Sequence, residues 1–205
     1  MKKDIVVIEE KKNIIYDNYD LSDNYDFTKE ELIEESKDKN PGTANAFMYG
    51  GMTCGIMTLI CELLKGIVPV HMYINGATPQ EMGIIPLAIV LTMPVVGHVC
   101  SMFDNFHGGK GIAVTFGCLL GLAPDIKAVI ILALFFIFYS LIFRVIPHFY
   151  RTIVTYVSTL AGLFILNENQ AVNIGFLFIT LVVLVRLHQS TEVREKLRIK
   201  LLWMR

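Results

Sequence analysis

The first forty residues contain no apolar run long enough to serve as the core of a signal peptide. No cleavable leader is therefore expected, and the first true span must act as its own insertion signal. Cysteine is sparse: Cys54, Cys61, Cys100 and Cys118 all lie in or beside apolar runs. None has metal-ligand spacing or a basic neighbour that would lower its pKa, so they read as small buried hydrophobes. No metal-ligand cluster is visible, and neither a metal nor a cofactor is expected. The order Ser-His-Asp of a nucleophilic triad is missing. A Walker nucleotide loop is also excluded, because Gly111 rather than Ser or Thr follows Lys110.

What is present is long apolar runs. Hydrophobic residues make up 54% of the 205 residues and mean hydropathy is +0.53, above the share usual for a soluble domain. Six apolar segments, about 47–70, 83–101, 112–123, 126–147, 150–166 and 171–187, predict an all-α polytopic membrane bundle of about six transmembrane segments. The third segment is short: twelve residues rise only about 18 Å, which predicts a half-helix or tilted span lining a cavity. Glu62 and Lys65, three apart in the first segment, share a helix face and are read as a structural pair facing the bundle interior.

Charge divides the chain. Residues 1–39 carry seven lysines against twelve acids, whereas the remainder carries eleven Lys or Arg against seven acids. The composition predicts that the acidic extension, 1–39, is largely disordered, with a short helix starting at Thr28-Lys29-Glu30-Glu31. A membrane domain over 40–190 and a basic tail over 191–205 complete the expected organisation. The tail and the segments around Gly97–Gly111 and Arg144–Arg151 are basic, while the loops at His71–Glu81, Pro124–Asp125 and Asn167–Gln170 are nearly free of Lys and Arg. That bias places both termini in the cytoplasm. Four polar segments, about 36–46, 97–111, 144–158 and 186–205, then converge on one face.

The most informative of them runs from Gly97-His98 to Gly108-Gly109-Lys110-Gly111. Glycine backbone can approach an anion closely and point N–H groups at it, while the lysine adds a point charge. A helix starting at Ile112 would aim its positive end at the same place. Gly108, Gly109, Lys110 and Gly111 are therefore candidate phosphate ligands, with a tight helix-packing turn as the competing reading. His98 is a candidate to bond a phosphate or an acceptor hydroxyl, although a backbone-bonded histidine at a helix end looks similar.

This pattern resembles the bacterial acyl-phosphate:glycerol-3-phosphate acyltransferases, the PlsY family. Its second motif, GHxFPxFxxFxGGKGVAT, is matched by Gly97-His98, Phe103, Phe106 and Gly108-Gly109-Lys110-Gly111-Ile112-Ala113, with Cys100-Ser101 for Phe-Pro. The first motif, SGNxGATNxxR, is matched by Asn40-Pro41-Gly42-Thr43-Ala44-Asn45, with Asp38 and Met48 where the family has Ser and Arg. Tyr156-Val157-Ser158 resembles a further segment, with Thr155 for its Arg. The third motif, HxxNIxRLxxGxE, keeps His188 and Arg194 but has Thr191 and Lys200.

The likeness covers roughly residues 38–195 and lacks the family's first transmembrane helix. The resemblance implies a bacterial inner-membrane enzyme transferring an acyl chain from acyl phosphate to glycerol 3-phosphate, giving lysophosphatidate. It implies catalytic roles for His98, Lys110 and His188, and substrate binding by Asn45, Gly108, Gly109, Lys110, Gly111, Ser158 and Arg194. Membrane lipids are expected neighbours, no nucleic-acid partner is expected, and the acidic extension could bind a protein. The departures at Asp38, Met48, Thr155, Thr191 and Lys200 motivate an alternative, a non-catalytic paralogue serving as a membrane scaffold or an anion- or lipid-binding protein. A helix N-cap for Asn45, a packed serine for Ser158 and lipid attraction by a basic tail for Arg194 remain the plainer alternatives.

Overall fold

The computed structural model describes residues 42–78, 83–102, 106, 108–166, 169–190 and 197–201. The expected extension over 1–39, its short helix and Arg194 lie outside these residues. Among the described residues six α-helices form the bundle: α1 (Thr43–Gly76), α2 (Ile84–Val99), α3 (Ile112–Leu120), α4 (Lys127–Ile137), α5 (His148–Ile165) and α6 (Gln170–Gln189). At 34 and 20 residues, α1 and α6 are long and apolar enough to cross a bilayer. Large apolar side chains such as Ile56, Ile60, Leu64, Leu134 and Leu181 face outward, which suits hydrocarbon rather than water.

α1 is broken near its start. Gly51 has φ 76° and ψ −176°, a backbone conformation that suits glycine alone. Thr43–Gly50 consequently doubles back on the rest of the helix. The Phe47 ring lies against Gly55, where a Cβ would overlap it, and Thr43 Oγ1 donates to Glu62 Oε2 at 2.7 Å.

Glycine also sets the two closest helix contacts. A Cβ on Gly66 would strike the backbone of Val114, Gly117 and Cys118, and one on Gly117 would strike the Leu63 carbonyl. α1 and α3 thus meet backbone to backbone, with Gly117 and Gly121 four apart on α3. On the other side, Gly175 of α6 receives Leu91 and Ala88 of α2, and Thr92 Oγ1 donates to the Gly175 carbonyl at 3.3 Å. The core between these pairs includes Leu91, Val95, Val114, Leu132 and Ile179. Tyr156 stacks on Phe176 there, with centroids 5.6 Å apart. Several interior threonines satisfy their hydroxyls within their own helix, as Thr115 does on Gly111 and Thr180 on Phe176. That removes the cost of a buried polar group in an apolar medium.

The apolar run 126–147, read as one span, is not a single helix. α4 passes into a π-turn at Phe138–Ile142 and then into a strand, β1 (Phe143–Ile146). β1 pairs antiparallel with β2 (Arg198–Leu201), which lies within the stretch read as tail, and Arg144 stands opposite Lys200 in the register. The bundle is otherwise helical, as expected. The short third segment is a nine-residue helix, α3, most of it buried.

Candidate active site

The glycine-lysine loop joins the end of α2 to the start of α3, and its geometry is set by contacts to both. α2 closes at Cys100, whose N–H donates to Val96 O at 2.8 Å. Gly108 N–H then returns to Val99 O at 3.0 Å, and a Cβ on Gly108 would overlap the His98 carbonyl. The Gly108 carbonyl accepts from Arg186 Nε at 3.1 Å and from Nη2 at 2.5 Å. Gly111, with φ 79°, caps α3 in the left-handed region. Its carbonyl accepts from Thr115 N–H at 2.9 Å and from Thr115 Oγ1 at 2.8 Å. The loop is therefore fixed at both ends. The positive end of α3 begins at this loop.

Two adjoining cavities open against this loop. The first, of about 650 Å³, is bounded by Thr58, Glu62, Lys65, His98, Ser101, Gly108 and Gly109. The second, of about 800 Å³, has a polar end at Asn45, His98, Lys110, Gly111 and His148. It continues between α1 and α3 along Leu59, Leu63, Phe116 and Leu120. Gly42, Glu62 and His98 border both. Glu62, Lys65 and Arg186 all lie within electrostatic range of His98.

Six of the expected residues thus come together: Asn45, His98, Gly108, Gly109, Lys110 and Gly111. Ser158 and His188 do not line either cavity. The Ser158 hydroxyl lies 2.9 Å from Tyr139 OH of the π-turn, and His188 is exposed near the end of α6. Met48, at the position of the family motif's arginine, borders the second cavity opposite a set that includes His148.

Residues outside the expected set also build the site. Glu62 is 6% exposed, and the partner its carboxylate holds is Thr43 rather than the expected Lys65. Lys65 faces the first cavity. Arg186 is 4% exposed, although in the sequence it reads as the start of a basic tail. Its signal was available: a charge on a helix that is otherwise apolar faces protein or a cavity far more often than lipid. His148, at the first position of α5, gave no such sign. Among the described residues, no group of three or more His, Cys, Asp or Glu is placed to share a metal ion.

Comparison with known proteins bears on this arrangement. The family model described as glycerol-3-phosphate acyltransferase matches residues 26–195. A glycerol-3-phosphate acyltransferase of Photobacterium profundum is 36% identical over 98 residues, covering 47% of this chain and 46% of the relative. One from Salmonella arizonae is 38% identical over 97 residues, covering 47% and 45%. The chain thus spans about half the length of the curated relatives it matches. The fold is similar to the crystal structure of PlsY, an integral membrane glycerol 3-phosphate acyltransferase, in its glycerol 3-phosphate form. The TM-score is 0.59 at 21% identity, over 74% of this chain and 72% of that one. The lysophosphatidic acid form of PlsY gives 0.56 at 23% identity, over 72% of each.

Proposed function

The chain belongs to the glycerol-3-phosphate acyltransferase family, and from that premise we propose that it transfers an acyl chain from acyl phosphate to glycerol 3-phosphate. The products are lysophosphatidate and inorganic phosphate. The observation that carries this reading is the position of His98 between a polar cavity and one that continues along an apolar wall. In this reading acyl phosphate occupies the second cavity, with its phosphate on Lys110 and Gly111 and its chain along Leu63, Phe116 and Leu120. Glycerol 3-phosphate occupies the first, its phosphate near Lys65 and the Gly108-Gly109 backbone. The acceptor hydroxyl then meets the acyl carbonyl beside His98.

Acyl phosphate is a mixed anhydride, so the leaving group is already good. The site needs only to hold two anions, orient the hydroxyl and offset the charge that develops. The hydroxyl oxygen bonds to the acyl carbon, the bond from that carbon to the phosphate oxygen breaks, and His98 takes the hydroxyl proton. Asn45, carried to the second cavity by the fold-back at Gly51, orients the substrate there. Ser158 and His188, implied by the resemblance, stand outside this minimal site. The protein sits in the bacterial inner membrane with both termini cytoplasmic, facing its soluble substrate.

Phosphate release by the purified protein tests the reading, and it should require both acyl phosphate and glycerol 3-phosphate. Lys110→Ala should lower kcat/KM by roughly 100-fold or more, the scale of losing a charge from an anion site. Unchanged turnover would remove the loop from the mechanism. One observation favours a second reading, an anion-binding paralogue without turnover: Met48 borders the second cavity where the family motif carries arginine. That reading expects the protein to bind inorganic phosphate and to release none from acyl phosphate.

A further inference from the structure

Arg186 is the one arginine among the described residues that is both buried and joined to the glycine-lysine loop, and no motif of the family resemblance includes it. We propose that Arg186 is a positioning residue that braces this loop for anion binding, an inference that rests on the loop being the phosphate site. Three contacts converge on Gly108. Its N–H is held by Val99, its Cα lies against the His98 carbonyl, and its carbonyl takes two donors from a guanidinium 78 residues further along the chain.

With its carbonyl turned to Arg186, the peptide unit joining Gly108 to Gly109 has its N–H on the opposite side. The donors that follow are thereby committed before any ligand arrives. A glycine loop without such a tether would sample many backbone conformations, and ordering it would weaken anion binding. Arginine suits the task because its planar fork places two N–H groups on one oxygen, which an ammonium cannot reproduce. Its burial makes the two bonds stronger than exposed ones and makes their loss costly. Arg186 borders neither cavity, so it acts through Gly108 and not by touching substrate.

The test uses the full chain in detergent or nanodiscs, comparing wild type with Arg186→Met and Arg186→Lys. Amide exchange read by mass spectrometry over residues 108–111 should rise at least roughly tenfold in Arg186→Met, with exchange in α1 and α4 unchanged. kcat/KM should fall roughly 10- to 100-fold, mainly through KM. Arg186→Lys should recover only part of both, since it restores the charge but not the fork. Wild-type exchange over 108–111 in Arg186→Met would overturn the proposal, as would full rescue by lysine.

If Arg186→Met does not fold, Arg186→Lys decides alone: raised local exchange at unchanged Tm supports the brace, and wild-type exchange refutes it. If wild-type protein has no acyltransferase activity, the functional reading fails. The brace is then judged by exchange together with protection of the loop amides by inorganic phosphate. Protection lost in Arg186→Met supports it, and protection equal to wild type overturns it.

Discussion

At the residue scale the site depends on backbone conformations that side chains cannot substitute. Gly111 adopts φ 79°, and a Cβ there would lie 2.9 Å from Val95 Cγ1. Gly111→Ala should therefore cost about 1–3 kcal/mol from strain and crowding together. That lowers Tm by several degrees and reduces activity further, because the start of α3 turns with it. Calorimetry and phosphate release on the same preparation separate the two effects.

Glu62 poses the opposite problem, a carboxylate beside the proposed sites for two anions. Its Oε2 accepts from Thr43 and its charge lies within electrostatic range of His98. Glutamine preserves the acceptor and removes the charge. Glu62→Gln should fold normally, lower KM for glycerol 3-phosphate severalfold by removing like-charge repulsion, and lower kcat by removing the negative charge beside the place where the hydroxyl proton is taken up. A KM that rises, or a kcat that is unchanged, in steady-state kinetics would contradict this assignment. Much of the chemistry at this scale was legible. A glycine-lysine loop with His98 ten residues before it names its own ligand class. Arg186 was obscured because it reads as the first charge of the polar segment 186–205, whereas in space its guanidinium sits on the Gly108 carbonyl.

At the element scale, glycine spacing decides how close α1 and α3 come, and hence the width of the second cavity between them. Gly66→Ala and Gly117→Ala each press a methyl onto backbone that cannot yield. Either should cost about 1–3 kcal/mol and raise KM for acyl phosphate. Gly76→Ala, at an end of α1 with open space around it, should leave stability within about 0.5 kcal/mol and activity unchanged. A thermal-shift series over the three variants checks the ordering.

Apolar run length located the six helices because a hydrocarbon core demands it. It could not locate the fold-back of Thr43–Gly50, which rests on one glycine conformation within an uninterrupted apolar stretch. Nor could it find β1, whose four residues continue the run of α4 and gain strand structure only by pairing with β2 more than fifty residues later. Long-range pairing leaves no mark on a local pattern.

At the scale of the whole molecule, the ends of the elements are sorted. The fold-back of α1, the last residues of α2 and α6, and the first residues of α3 and α5 all supply the site or its supports. Even-numbered crossings make this possible, since chain direction alternates and each polar junction returns to the same side. The excess of Lys and Arg at these junctions, against loops such as Asn167–Gln170 that have none, predicts that the site end is cytoplasmic.

Cys100 supplies a native reporter of that end, being exposed one residue beyond α2, whereas Cys118 is buried. In a variant keeping only Cys100, a membrane-impermeant maleimide should fail to label intact spheroplasts and should label after permeabilisation. In a cysteine-free chain carrying Gln170→Cys, at the exposed start of α6, labelling should occur without permeabilisation. Glycerol 3-phosphate is a dianion that does not cross the bilayer unaided, so an outward Cys100 would separate the site from a cytoplasmic acceptor. Labelling of Cys100 from outside would therefore overturn both the orientation and the acceptor assigned to the first cavity.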